Sequence, residues 1–125
     1  GVRRMSPFKG QTGLKRILNA ASYSLDGLRA AFFGEAAFRQ LVLLNLVLIP
    51  SAFLLDVSRG ERALMVAVCL LALIVELLNS AIEAAIDRIS LERHPLSKNA
   101  KDMGSAAQFV ALGMIASVWA IILLS

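Results

Sequence analysis

The stretch VELLNSAIEAAIDR, residues 75–88, decides how the rest of the chain is read. It carries Glu76, Asn79, Glu83 and Asp87 at the end of a long apolar run that begins at Ala63. At about 100° per residue these four groups fall within an arc of roughly 80°, a single face of a helix. Arg62 marks the opposite end of the run. Glu76 stands about 21 Å along the axis from it and Glu83 about 31 Å, at about 1.5 Å rise per residue. In a hydrocarbon layer about 30 Å thick, Glu76 lies inside the lipid near one boundary and Glu83 at that boundary. The polar stripe therefore climbs from one interface into the lipid and does not cross it.

Composition agrees with a membrane setting. The 125 residues leave room for a single domain, residues 1–125. Their hydrophobic fraction is 58% and their mean hydropathy +0.70, above the roughly 45–50% apolar usage of soluble domains. The net charge of +4 comes from 13 Lys and Arg against 9 Asp and Glu. With long apolar spans and few aromatics, that excess reads as juxtamembrane charge facing anionic lipid, with no nucleic-acid partner. Cys69, the one cysteine, reads as a small buried hydrophobe, so no disulfide framework is expected.

Working outward, three apolar spans are expected at residues 38–55, 63–86 and 104–125, each long enough to cross. Asn45 and Pro50 in the first point to a kink or a helix–helix hydrogen bond. Residues 87–103, with the breaker HPLS, read as a polar loop carrying the surface residue His94. Residues 1–12 read as a flexible terminus. Over residues 13–34, Leu14, Ile17, Leu18, Ala21, Leu25 and Leu28 recur at helical spacing, with Lys15, Arg16, Asn19, Ser22, Asp26 and Arg29 mostly opposite. That pattern predicts an amphipathic surface helix lying in the membrane interface. The fold class is thus an all-α membrane protein, one surface helix and three transmembrane helices, too small to enclose much without oligomerising. Arg and Lys crowd the segment before the first span and the 87–103 segment. The positive-inside rule then puts the N-terminus and the acidic end in the cytoplasm and the C-terminus outside.

Carboxylates at this depth need a partner or a task. Hydrogen bonding that glues helices together would explain one such group. Four on one face, beside a basic segment, point to a site. Glu76 and Glu83 are separated by about 10 Å along the axis, too far to share a small cation with oxygen ligands at about 2 Å. A metal at Glu83 needs a carboxylate from another helix, and Glu35, at the end of the surface helix, lies at the same level. Glu76, deeper, is left to meet a lipid group. Lys101 and Asp102 stand at the mouth of the third span, where the ammonium suits phosphate oxygens; the plainer alternative is a Lys–Asp pair marking the membrane boundary. No G-x-x-x-x-G-K-[ST] or G-x-G-x-x-G motif occurs.

AASYSLDGLRAAFFGEAAFRQ, VELLNSAIEAAIDRIS and AKDMGSAAQF, in this order and spacing, resemble the small integral-membrane diacylglycerol kinases of bacteria, of the Gram-negative type. The resemblance runs from about residue 13 to the end. It implies a homotrimer with shared sites in the bacterial inner membrane, the C-terminus periplasmic. The implied reaction is transfer of the ATP γ-phosphate, with Mg2+, to diacylglycerol, giving phosphatidic acid. By the same resemblance Glu76 is the catalytic base, and Glu35 and Glu83 bind the metal that accompanies ATP. Asn79 and Lys101 contact phosphates, Asp102 orders the site, and Arg16, Tyr23 and Ser24 lie near nucleotide and lipid headgroup. The pattern departs at Asn19, where a basic residue is usual, and at Leu41, where an acid is usual and only the span boundary is expected to change. Undecaprenol is the alternative lipid, and a small cation-coupled transporter the alternative class. A transporter would place its acid near the midplane, between paired repeats, and no repeat is evident.

Overall fold

The computed structural model describes residues 13–125; the reading of residues 1–12 as a flexible terminus lies outside them. Four α-helices follow one another: α1 Gly13–Gly34, α2 Ala36–Leu54, α3 Arg59–Ile89 and α4 Pro95–Leu124. Three of them, α2, α3 and α4, are long and apolar enough to cross a membrane. They run as an up-and-down bundle with α3 at its centre, packed most extensively on α4 and then on α2. The protein is an all-helical membrane protein, as its apolar runs predict.

Each boundary has a local cause. Glu35 separates α1 from α2 by adopting an extended backbone, φ −126° and ψ 112°. Its N–H still bonds to Ala31 O at 2.9 Å, so the chain turns at a single residue. Arg39 adds a hydrogen bond back across this joint, its Nη1 donating to Phe32 O at 2.8 Å. Ser58 opens α3 with a capping box: its Oγ accepts from Glu61 N–H at 3.1 Å and Glu61 Oε1 accepts from Ser58 N–H at 2.9 Å. The pair satisfies two donors that a helix start otherwise leaves open. Arg62 then closes the end of α2, donating to the carbonyls of Ala52, Leu55 and Val57.

The loop expected at residues 87–103 is a correction. Helix α3 continues to Ile89, and α4 begins at Pro95, leaving residues 90–94 between them. Pro95 does not break a helix here. It sits in the first turn, where its missing N–H costs nothing, while His94 caps the turn by accepting Leu96 N–H on Nδ1 at 3.1 Å. Polar residues in this stretch thus mark helix that outruns the lipid: 31 residues make α3 about 46 Å long, against a hydrocarbon layer of about 30 Å.

The core is a narrow seam. Met65, Val68, Cys69 and Ala72 form the buried face of α3, and Leu41 of α2 with Ala111 and Ile115 of α4 close over it. Cys69, Ala72 and Ala111 are small, which lets the helices approach closely at these positions. Leu41 is 6% exposed inside this cluster, so the departure at that position alters the core and not just a span boundary. Asn45 makes a helix–helix hydrogen bond, its Nδ2 donating to Cys69 O at 2.9 Å, and Pro50 lies inside α2. Trp119 Nε1 ties α4 to Met65 O at 3.2 Å. Most other large apolar side chains of the spans face outward, and on α1 Leu14, Ile17, Leu18, Leu25 and Leu28 are uncovered. Such faces suit acyl chains and an interface, not water.

Candidate active site

The buried face of α3 does not stop at Ala72. Four residues on, one turn further along the same stripe, stands Glu76, 4% exposed. An ionisable group on the packing face of a membrane helix requires donors beside it. Gln108 of α4 supplies the first, its Nε2 donating to Glu76 Oε1 at 3.1 Å. Ser80, one turn along α3, approaches Oε2 at 3.4 Å. The carboxylate is therefore held across the α3–α4 contact and along its own helix.

Beyond Glu76 the stripe opens in steps. Asn79 and Glu83 are half-buried and Asp87 is exposed. Asn79 lies against Gly104, where a Cβ would overlap its Oδ1. The close approach of α4 thus depends on glycine. Asn79 Oδ1 and Gln108 Oε1 are both buried without a hydrogen-bond partner, as is Asn45 Oδ1 further along the bundle. Glu35 shares a cleft with Ser80, so the α1–α2 joint brings it to the end of α3 that carries Glu76 and Glu83.

Five of the expected residues divide among three clefts, while Glu76 and Glu83 line none of them. Glu35 and Ser24 line one of about 620 Å³ between α1 and α3, whose far wall includes Ser80. Asn79 lines a mostly apolar one of about 430 Å³ against Met103, Gly104 and Ala107. Lys101 and Asp102 line a third, of about 670 Å³, around the α3–α4 turn with Asp87 and His94. Arg16 and Tyr23 lie exposed on α1 and line none of these three. The basic residues have partners within this chain. Lys101 Nζ reaches across to Asp87 Oδ1 at 2.7 Å, and Asp102 takes Lys98, at 2.6 Å, one helical turn away. The Lys101–Asp102 boundary pair is not formed.

Gln108 and Ser80 are the partners that sequence reasoning missed. A signal for Gln108 was present, since an amide in the apolar stretch GSAAQFVALGM is as conspicuous as a carboxylate and needs the same explanation. For a metal, Glu35 and Glu83 are the half-buried carboxylates at the right level. Among the described residues no three His, Cys, Asp or Glu side chains converge as a ready cage. Two carboxylates with water and phosphate oxygens as the remaining ligands is the pattern magnesium favours, so the residues present fit a metal delivered with a nucleotide.

Residues 22–123 match the family described as prokaryotic diacylglycerol kinase. A diacylglycerol kinase of Pseudomonas aeruginosa is 85% identical over 119 residues, which covers 95% of this chain and 97% of that protein. Those of Escherichia coli K12 and Haemophilus influenzae are 50% and 48% identical, covering 91% and 86% of this chain and 93% and 92% of their own lengths.

Proposed function

Since the chain belongs to the prokaryotic diacylglycerol kinase family, we propose that it transfers the γ-phosphate of ATP to the free hydroxyl of diacylglycerol, giving phosphatidic acid and ADP. The observation that carries this reading is the end-to-end match at 85% identity to a protein of that name. The buried carboxylate of Glu76, held on one oxygen by Gln108, gives it a chemical basis.

Phosphoryl transfer asks a protein for position and charge neutralisation more than for covalent chemistry. Glu76 accepts the proton of the lipid hydroxyl as that oxygen bonds to the γ-phosphorus and the bond to the bridging oxygen of ADP breaks. Its depth suits a hydroxyl arriving from the lipid side. Glu35 and Glu83 hold the Mg2+ that accompanies ATP; when bound, that ion neutralises charge on the phosphate oxygens. Lys101 and Asn79 serve the phosphates and Asp102 orders the cleft at the turn. For Lys101 this means exchanging Asp87 for a phosphate, a trade between two anions at one ammonium. Arg16, Tyr23 and Ser24 attend the nucleotide and headgroup from α1.

The working form is a homotrimer in the bacterial inner membrane, with one domain per chain. Support comes from the spread of site residues over three clefts of one chain, which neighbouring copies would bring together, and from the apolar faces left outward on α2, α3 and α4. Lys15, Arg16, Arg29 and Arg39 at one end of the bundle, with Arg88, Arg93, Lys98 and Lys101, support a cytoplasmic acidic end and a periplasmic C-terminus.

The test is transfer of labelled γ-phosphate from MgATP, in micelles, to diacylglycerol and to undecaprenol side by side. Label is expected in phosphatidic acid. Label confined to undecaprenyl phosphate would overturn the choice of lipid, and label in neither product would overturn the kinase reading.

A further inference from the structure

The two oxygens of Glu76 are not equivalent. Oε1 is held by Gln108 Nε2 at 3.1 Å, an ordinary distance for N–H donating to O. Oε2 faces Ser80 Oγ at 3.4 Å, beyond the usual range for O–H donating to O. Ser80 lines the α1–α3 cleft that also holds Glu35 and Ser24, whereas Gln108 approaches from α4. The loosely held oxygen is thus the one on the side of Ser80, which lines that cleft, and the firmly held one is on the α4 side.

The amide of Gln108 carries a second piece of information. A carboxylate only accepts hydrogen bonds, so the NH2 must face it, and the opposite orientation would set two acceptors against each other. Gln108 adopts this orientation although it leaves Oε1 of its own amide buried without a partner. A glutamine that served only to join helices would be expected to pair both ends, since an unpaired buried acceptor is costly. Here one end is given up and the other is fixed on the acid.

We infer that Gln108 is a positioning residue for the reaction: it pins Oε1 of Glu76 and so presents Oε2 to the lipid hydroxyl as the proton acceptor. This rests on the kinase reading, and on Glu76 as its base. The amide touches neither substrate nor reacting atoms. Its effect is to keep the carboxylate from rotating, so that the oxygen that takes the proton stays on the Ser80 side.

Two variants test it, assayed in the full-length protein in micelles with MgATP and a short-chain diacylglycerol. Gln108→Met keeps the length of the side chain and loses the donor. Its kcat is expected to fall about tenfold, the scale of one hydrogen bond to a charged group, with KM for MgATP unchanged. Gln108→His keeps an N–H at similar reach, and is expected to retain most of the wild-type kcat. A Gln108→Met enzyme with wild-type kcat would overturn the assignment, as would a loss seen in KM alone or an equal loss in the histidine variant. An infrared readout is independent of turnover. The carboxylate band that disappears in Glu76→Gln is expected to shift in Gln108→Met. A shifted band in a protein whose wild type labels no lipid would sink the kinase reading and leave the Gln108–Glu76 contact standing. An unmoved band would sink the contact itself.

Discussion

Arg62 and Glu76 share a helix and are both charged groups placed against the bundle, yet their surroundings are built on opposite principles. Around Arg62 the polar groups find partners: its guanidinium takes the carbonyls of Ala52, Leu55 and Val57, and Ser58 and Glu61 cap each other's backbone beside it. Around Glu76 the count is left open. Asn79 Oδ1 and Gln108 Oε1 are buried with nothing to accept from, and Ser80 stands too far from Oε2 to hold it firmly. A completed polar network fixes one arrangement of helices, and an incomplete one leaves capacity for something that arrives later. The first end is thus closed, and the second is the end on which the proposed chemistry rests.

Substitutions that break this contrast should separate activity from folding. The largest effect is expected from Glu76→Gln, which keeps the shape and the contact with α4 but removes the proposed base. Phosphate transfer should drop by at least about a hundredfold, as for loss of a general base, with the helical spectrum and melting temperature in micelles close to wild type. Near-normal turnover would take Glu76 out of the base role. Next comes Arg62→Met, at the closed end. Three carbonyls lose a charged donor, and stability should fall by about 3 kcal/mol, read by thermal unfolding, while kcat per folded protein stays unchanged. A selective loss of kcat there would mean that the two ends are not independent. The smallest effect, about 1–2 kcal/mol, is expected from Gly104→Ala, because the added methyl meets Asn79 Oδ1 and the amide must swing aside. Shortening the amide in Asn79→Ser should restore most of that loss; a penalty that persists in the double variant would place the clash elsewhere.

The contrast was only half visible in the sequence. Three apolar runs declare three spans, and helical spacing at Leu14, Ile17 and Leu25 declares α1. The face shared by Glu76, Asn79, Glu83 and Asp87 follows from the pitch of a helix alone. What failed was inference from polarity. Residues 95–103 are polar yet helical, because hydropathy reports where lipid ends and not where the helix does. Leu41 looked like a boundary residue and is core, since a single span does not show which of its faces its neighbours cover. The pairing of Gln108 with Glu76, and of Lys101 with Asp87 rather than Asp102, depends on the register between α3 and α4. That register is set by close packing of small residues such as Gly104, and no local pattern encodes it.

The joint at Glu35 has a mechanical side. A helix of 22 residues is a rod about 33 Å long, and α1 meets α2 through one extended residue braced by Arg39. A rotation of about ten degrees at that pivot would carry the Gly13 end of the rod through roughly 6 Å. Glu35, at the fulcrum, hardly moves, while Ser24, partway along, travels a fraction of that distance. Small adjustments of one backbone angle therefore change the width of the cleft beside α3 without disturbing the carboxylate at its base.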